Sequence, residues 1–145
     1  MYFYKGEVRK MPLRLKLKPQ EKVVIGNTVI ENGPKSSTFL VHSKTTILRE
    51  KDIMQEEEAN SPARRIYYVS LLMYLAGSIE ESQAHHPSFK ELIQQFQEAC
   101  PTPKAIELIS DIGTKILADD FYGALKSARI LITYEEEVLA QAMQG

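Results

Sequence analysis

The stretch "LRLKLKPQEKVVIGNTVIENG", from Leu13 to Gly33, decides the fold class of this 145-residue chain. Its first six residues alternate apolar and cationic side chains, which is the pattern of a β-strand with one apolar face. Pro19 ends that strand because proline cannot donate a hydrogen bond to a strand ladder. Two β-branched runs then flank Gly26-Asn27, and glycine at the first central position suits a tight hairpin turn. The stretch therefore predicts successive short strands joined by turns.

Two further strands follow along the chain. "TFLVH" covers Thr38 to His42 and "TTILR" covers Thr45 to Arg49, and both are rich in β-branched and apolar residues. The first third of the chain therefore contains about five short strands, and their short connections favour antiparallel pairing.

Helix start signals dominate the rest of the chain. Ser61-Pro62 predicts a helix that runs to Ala76 and ends before Gly77. Ser88 with Glu91 fits a capping box, so the second helix is expected to begin at Ser88.

Two more helices are predicted towards the end of the sequence. Thr102-Pro103 repeats the start signal of a capping hydroxyl followed by proline. The last helix is expected from about Asp119 to Ala142, with Asp119 and Asp120 in its first turn, where the helix dipole favours negative charge. The fold class is therefore α+β: a small antiparallel sheet of about five strands followed by a bundle of about four helices.

Charge divides the chain in the same way. Residues 1–51 contain 11 Lys and Arg against 4 Asp and Glu, a net of +7, whereas residues 52–145 contain 7 against 15, a net of -8. A basic half favours a polyanionic partner and an acidic half a protein partner or water, although the two halves could also simply attract each other.

Several classes of protein and of site are not expected. The apolar run from Ile66 to Ala76 is too short to span a membrane, and no secretory signal is recognisable, so a cytoplasmic protein is predicted. Cys100 is the only cysteine, which excludes an internal disulfide. His85-His86 lacks further ligands at metal spacing, and no nucleophile, acid-base pair or phosphate loop is recognisable. We therefore expect no enzyme activity, no metal, no cofactor and no small-molecule substrate.

The residues from Met11 onward resemble a known family. "LRLKLKPQEKVVIGNTVIENG", "TILREKDIMQEEEANSPARRIYY" and the following "LLMYL" are similar to the FlbT family of flagellar biosynthesis regulators. Residues 1–10 form an extension outside the family pattern, so Met1 and Met11 are both candidate starts. The charge distribution and the strand and helix signals divide the remainder into a basic β-rich region, residues 11–58, and an acidic helical region, residues 59–145.

This resemblance implies post-transcriptional control. Members of the family are thought to associate with the 5′ untranslated leader of flagellin mRNA and to promote its decay, although some members promote flagellin expression instead. FlaF is the family's usual functional partner. The implied function is an RNA-binding repressor, and the alternative is an adaptor that binds flagellin or FlaF through its helical half.

A more distant resemblance concerns the RNA-binding surface. "LKLKPQEKVVIGN" followed by "ILREKDI" is similar to the carbon-storage regulator (CsrA) family of β-sheet dimers, in which the first strand of one subunit pairs with the last strand of the other. Lys18 and Arg49 take the places of that family's first-strand and last-strand arginines. Leu17 stands where a second first-strand arginine would be, and Arg14 and Lys16 are expected to compensate because they share a face with Lys18.

The candidate RNA-binding residues follow from the alternating strand and these resemblances: Arg14, Lys16, Lys18, Arg49 and Lys51. Arg64 and Arg65 either pair with the nearby Glu56 to Glu58, which we favour, or contact RNA or a partner. The alternative interpretation of the cationic row is the solvated outer face of a sheet. Glu135 to Glu137 is most simply a solvated face. Because a sheet of this size buries little surface alone, we also predict a homodimer.

Overall fold

The chain has two compact units, which we call the sheet unit (Met1–Ile53) and the helical unit (Met54–Gly145). The computed structural model describes residues 8–144, so the predicted extension over residues 1–10 lies largely outside the described residues. Strands occupy the first unit and helices the second. The predicted α+β fold, with five short antiparallel strands followed by helices, is confirmed.

The strands of the sheet unit form two separate antiparallel ladders. In one ladder the first strand pairs with the fourth, and in the other the second strand lies between the third and the fifth. Within residues 8–144 the bounds are β1 (Val8–Leu17), β2 (Lys22–Ile25), β3 (Thr28–Glu31), β4 (Ser37–Ser43) and β5 (Ile47–Arg49). The first strand therefore begins before Leu13, and the third and fourth strands are not paired with each other.

The core of the sheet unit is small. Leu15, Leu17 and Val23 are its centre, and partly buried Ile25, Val41 and Ile47 pack against them. The hairpin between β2 and β3 turns at Gly26, whose φ of +64° is the left-handed conformation that the turn requires and that glycine adopts without strain. Leu13, at the same face of β1, stays 38% exposed, so the buried part of that face begins at Leu15.

Four long helices and one short helix form the helical unit. Their bounds are α1 (Pro62–Leu75), α2 (Ile79–Gln83), α3 (His86–Ala99), α4 (Pro103–Leu117) and α5 (Phe121–Gln144), within residues 54–144. The start signals of α1 and α4 are confirmed: Ser61 accepts a hydrogen bond from the Arg64 amide, and Thr102 accepts one from the Ala105 amide.

Two helix starts differ from the prediction. The third helix begins at His86 rather than Ser88, because Pro87 occupies its first turn and Ser88 already lies within it. Asp119 and Asp120 precede α5 instead of forming its first turn. Asp119 adopts a φ of +58°, and Asp120 acts as the cap, since its Oδ1 accepts the Gly123 N–H at 3.0 Å.

Helix α5 is the centre of the helical core. Its buried face, which includes Leu125, Ala128 and Leu131, packs against α1 and α4. Fully buried residues of the partner helices are Ile66 on α1 and Ile112 on α4. Among the helices of residues 8–144, none has the length and apolar character needed to cross a membrane.

Candidate nucleic-acid interface

The exposed cations of β1 form the centre of the candidate interface. Arg14 and Lys16 lie on the face of the strand opposite the buried Leu15 and Leu17, and Lys18 follows directly after the strand. All three cationic residues are exposed, and none forms an ion pair with another residue of the described part of the chain. Alternate residues of a strand are separated by roughly 6.6 Å, so Arg14 and Lys16 form a regular row. This placement agrees with the alternation seen in the sequence.

Arg49 reaches this row from the other ladder. It ends β5, which pairs with β2, yet its Nη1 donates to the backbone carbonyl of Lys16 at 3.1 Å. The same nitrogen donates to Glu21 Oε2 at 3.2 Å. Within a single chain, Arg49 is therefore joined to β1 through its side chain and not through strand pairing. The guanidinium and the β1 row are adjacent without the help of a second subunit.

Glu21 is an acidic residue inside the candidate interface that the sequence reasoning did not single out. Its Oε1 accepts the Lys18 N–H at 2.9 Å, while its Oε2 receives Arg49. The Lys18 amide lowers the pKa of the Glu21 carboxyl below its ordinary value of 4.5, and the Arg49 guanidinium adds to this effect against partial desolvation. Glu21 therefore stays ionised at neutral pH and holds Arg49 beside Lys18.

Asn32 fixes the chain at the end of the cationic row, and it too was missed. Its side chain is buried, and Nδ2 lies within hydrogen-bonding distance of the carbonyls of Leu17 (3.3 Å), Lys18 (2.8 Å) and Lys35 (2.9 Å). The amide nitrogen has only two hydrogens, so two of these three carbonyls share one hydrogen. Asn32 Oδ1 accepts the Gly33 N–H. In the sequence, Asn32-Gly33 before a proline indicates only a turn, so the contacts of the Asn32 side chain were not predicted.

The remaining candidate cations lie elsewhere. Lys51 is exposed in a short 3-10 turn, Glu50–Asp52, directly after β5. Arg64 and Arg65 belong to α1 of the helical unit. Arg64 pairs with Glu136 of α5 at 3.2 Å, so the favoured pairing with Glu56 to Glu58 is wrong for this residue. Arg65 is exposed and has no ion pair within residues 8–144.

Glu135 also departs from the prediction of a solvated acidic face. Its Oε2 accepts the backbone N–H of Ala63 at 2.9 Å, in the first turn of α1. A carboxylate at a helix N-terminus is stabilised by the exposed amides and by the helix dipole. Glu135 of α5 therefore stabilises the N-terminus of α1. The two residues are 72 positions apart, so the sequence alone did not predict this contact.

Other reactive residues do not form a recognisable centre. No group of three or more His, Cys, Asp and Glu residues capable of holding a metal ion occurs in residues 8–144. Cys100 is partly buried at the end of α3, with its Sγ 3.9 Å from Thr102 Oγ1. The buried Nε2 of His86 has no hydrogen-bond partner within the described residues. Among the described residues, the cationic row with Arg49 has the charge and the exposure suited to binding a polyanion.

Comparison with protein families gives one match that covers most of the chain. The model of the family "Flagellar protein FlbT" matches residues 13–139, which include both units. The matched segment contains the cationic row, Arg49 and all the helices. No solved structure shows a significant match to this chain.

Curated relatives are similar over nearly the whole chain. A Rhodopseudomonas palustris protein named "Probable flagellum biosynthesis repressor protein FlbT" is 44% identical over 132 residues, covering 90% of this chain and 100% of that protein. The Caulobacter vibrioides "Flagellum biosynthesis repressor protein FlbT" is 34% identical over 135 residues, covering 93% of this chain and 94% of that protein. These relatives are named as repressors and not as enzymes.

Proposed function

The chain belongs to the FlbT family of flagellar proteins, and we propose that it represses flagellum biosynthesis by binding the 5′ untranslated leader of flagellin mRNA and promoting decay of that message. The names of the relatives support the repression step. The leader as the target rests on the resemblance and on the charge of the sheet unit. Such a protein would work in the cytoplasm, where the message is translated.

One observation carries the RNA-binding part of this proposal: the exposed cations of β1 and the adjoining Lys18 form no direct ion pair with a described acidic residue. Arg14, Lys16 and Lys18 have no ion pair within residues 8–144, although Glu21 lies close by and is already used by Arg49 and the Lys18 amide. Cations on a regular strand face can contact successive phosphates of an extended single strand. Neutralising each phosphate releases counterions and gives an affinity that falls with salt.

Arg49 has a different role from the lysines in this proposal. Its Nη1 is held by the Lys16 carbonyl and Glu21, so the guanidinium is fixed before RNA arrives. A fixed side chain loses less conformational entropy on binding than a free one. The hydrogens on Nη2 and Nε are not used in these two bonds, and a planar guanidinium can read a base edge or clamp a phosphate. We assign Arg49 to base or phosphate recognition and the row to positioning.

Fluorescence anisotropy of the full chain on labelled flagellin leader, with a shuffled leader as the reference, tests this proposal. We expect tighter binding to the leader and a loss of affinity as salt rises. Lys16→Ala should weaken binding and reduce the salt slope by about 0.7, the value for one phosphate contact on a single strand. Lys90→Ala removes an exposed lysine from α3 and is the matched control, with no expected change.

Arg49→Lys complements this experiment because it keeps the charge but removes the planar fork. If Arg49 reads a base, the variant should lose leader preference more than overall affinity. Arg49→Ala is less informative, since it also leaves Glu21 and the Lys16 carbonyl without their partner. Equal and weak binding of the unmodified protein to both RNAs would contradict a direct role on the leader.

That result would favour the second candidate function, an adaptor that binds flagellin or FlaF through the helical unit. The observation behind this candidate is a set of exposed apolar side chains on the last two helices: Ile106, Ile130, Leu139 and Met143. Direct binding of flagellin or FlaF, lost in Ile130→Glu and retained in Lys16→Ala, would identify the adaptor. RNA binding lost in Lys16→Ala and retained in Ile130→Glu would identify the direct regulator.

A further inference from the structure

The fourth strand has an outer edge that lacks the usual protection. It pairs with β1 on one side, and no strand within residues 8–144 pairs with the other side. Proteins normally guard such edges with charged residues, proline or a bulge, because an unpaired edge is a template for another strand. The sequence of β4, "STFLVHS", contains no Lys, Arg, Asp, Glu or Pro. Its edge is therefore open to strand addition.

Apolar surface accompanies this edge. Phe39 is 44% exposed and Leu40 is 55% exposed, although both are large apolar side chains. A cleft of about 380 Å³ lies beside them, with a lining that includes Val23, Ile25 and Ile30 from β2 and β3. An apolar cleft next to an unprotected strand is the combination expected at a protein interface.

The order of residues in β4 indicates which partner fits. If two copies of the strand pair antiparallel about Leu40, then Phe39 meets Val41 of the second copy and Leu40 meets its own equivalent. Thr38 meets His42 in the same register, so polar residues face polar residues. An interface with two-fold symmetry requires a patch that is complementary to itself. The sequence of β4 meets this requirement in the register centred on Leu40. Aromatic with β-branched pairs are among the favourable cross-strand neighbours.

We propose that β4 pairs antiparallel with β4 of a second copy of this chain, about an axis at Leu40. The product is a four-stranded sheet with β1 at each end, which is more stable than an isolated two-stranded ladder. This inference does not rest on RNA binding, because the observations behind it concern only the edge, the cleft and the strand sequence.

The pairing has a consequence for the cationic row. Arg14 lies opposite Leu40 and Lys16 opposite Thr38 in the register of β1 with β4, so these cations share a face with Leu40. In the four-stranded sheet the two β1 strands are three strand spacings apart, roughly 14 Å. That distance exceeds the Debye length of about 10 Å at 0.1 M salt, so repulsion between the rows is largely screened. The dimer would therefore present two cationic rows on one face.

Disulfide trapping tests the register directly. In a Cys100→Ser background, Leu40→Cys places two thiols opposite each other at the axis. Directly opposed residues of antiparallel strands have Cα atoms about 4.5–5.5 Å apart, within the range of about 4.4–6.8 Å that a disulfide accepts. We expect rapid formation of a covalent dimer under mild oxidation. Val29→Cys in the same background is the control, because Val29 is 67% exposed on β3, a strand of the other ladder.

Light scattering of variants without cysteine changes provides the second test. Leu40→Lys places two like charges against each other at the axis, so the measured mass should fall from two chains to one at micromolar concentration. Val29→Lys should stay dimeric, and circular dichroism should show both variants folded because both side chains are exposed. A monomeric unmodified protein would overturn the proposal. So would a dimer that Val29→Lys dissociates and Leu40→Lys does not, or equal trapping of Leu40→Cys and Val29→Cys.

Discussion

The sheet unit and the helical unit differ in how completely they bury their apolar side chains. Among the described residues, four buried apolar residues lie in the sheet unit and sixteen lie in the helical unit. Both units leave large apolar side chains exposed, among them Phe39 and Leu40 in the sheet unit and Ile130 and Leu139 in the helical unit. Burial supplies most of the stability of a domain. The helical unit therefore has the larger apolar core and is the more stable scaffold, whereas the sheet unit depends more on its few polar contacts.

The largest expected effect is a core truncation in the helical unit. Phe96 is 2% exposed on α3, which packs against α1. Phe96→Ala removes a buried ring and leaves a cavity, so the free energy of unfolding should fall by about 3–5 kcal/mol. Urea unfolding followed by helical circular dichroism measures this loss.

The matched control for Phe96→Ala is Ile130→Ala, at a residue that is 56% exposed on α5. Its effect on the free energy of unfolding should lie within about 0.5 kcal/mol. Similar losses for the two variants would contradict the assignment of Phe96 to a tightly packed core.

The sheet unit should respond more to a polar substitution than its few apolar contacts suggest. Asn32→Ala removes the donor to the carbonyls of Leu17, Lys18 and Lys35, which then lose a buried partner. We expect the free energy of unfolding of the sheet unit to fall by about 1–3 kcal/mol. Hydrogen exchange of the β2 amides measures it.

Asn27→Ala is the control for this substitution because Asn27 is exposed in the β2–β3 turn. Its effect should be no more than about 0.5 kcal/mol. If both variants exchange at the same rate as the unmodified protein, Asn32 does not hold the end of β1, and the sheet unit depends on its apolar contacts alone.

The elements that the sequence predicted best are those fixed by local signals. Each of these signals involves only a few consecutive residues. Examples are the alternation from Leu13 to Lys18, the turn at Gly26 and the helix caps at Ser61 and Thr102. The predicted start of α3 at Ser88 was wrong because two local signals competed. Pro87 occupies the first turn of the helix, and the capping box at Ser88 does not form its start.

The candidate site was only partly predictable because its main contacts are distant in sequence. Arg49 reaches the Lys16 carbonyl across 33 residues and Glu21 across 28 residues. Charge counting grouped the cations but could not show that one carboxylate lies among them. Glu21 and Asn32 have no local motif beyond a turn signal, so their roles emerge only from the tertiary structure.

Acidification should weaken the contacts that Glu21 makes in the sheet unit. Its pKa is lowered in the folded protein, first by the Lys18 amide and then by Arg49. The unfolded state therefore binds a proton more readily, so the stabilising contribution is present above the ordinary value of 4.5 and is lost as pH falls through the lower folded value. NMR signals of the β2 amides during urea unfolding, at a series of pH values, measure this loss.

Glu21→Gln should reduce the acid sensitivity of the sheet unit, because the variant has no carboxyl to titrate at this site. Glu31→Gln changes an exposed carboxyl on β3 and should keep the unmodified response. An identical acid response in Glu21→Gln and the unmodified protein would show that the contacts with Lys18 and Arg49 do not contribute to stability.

The smallest expected effect concerns the cations of the helical unit. Arg64 pairs with Glu136, and the side chains are 35% and 58% exposed. An exposed pair of this kind contributes about 0–1 kcal/mol, so Arg64→Ala should lower the free energy of unfolding by no more than that. A double-mutant cycle with Glu136→Ala measures the coupling between the two side chains.

The affinity of Arg64→Ala for the leader then tests whether RNA binding is confined to the sheet unit. We expect Arg64→Ala to leave leader binding unchanged, because its guanidinium is used in the helical unit. Arg65 has no such use within residues 8–144, so Arg65→Ala serves as the comparison on the same helix. A loss in Arg65→Ala alone would extend the RNA surface beyond the sheet unit. An equal loss in Arg64→Ala and Lys16→Ala would mean that the helical unit binds RNA as well as serving as the scaffold.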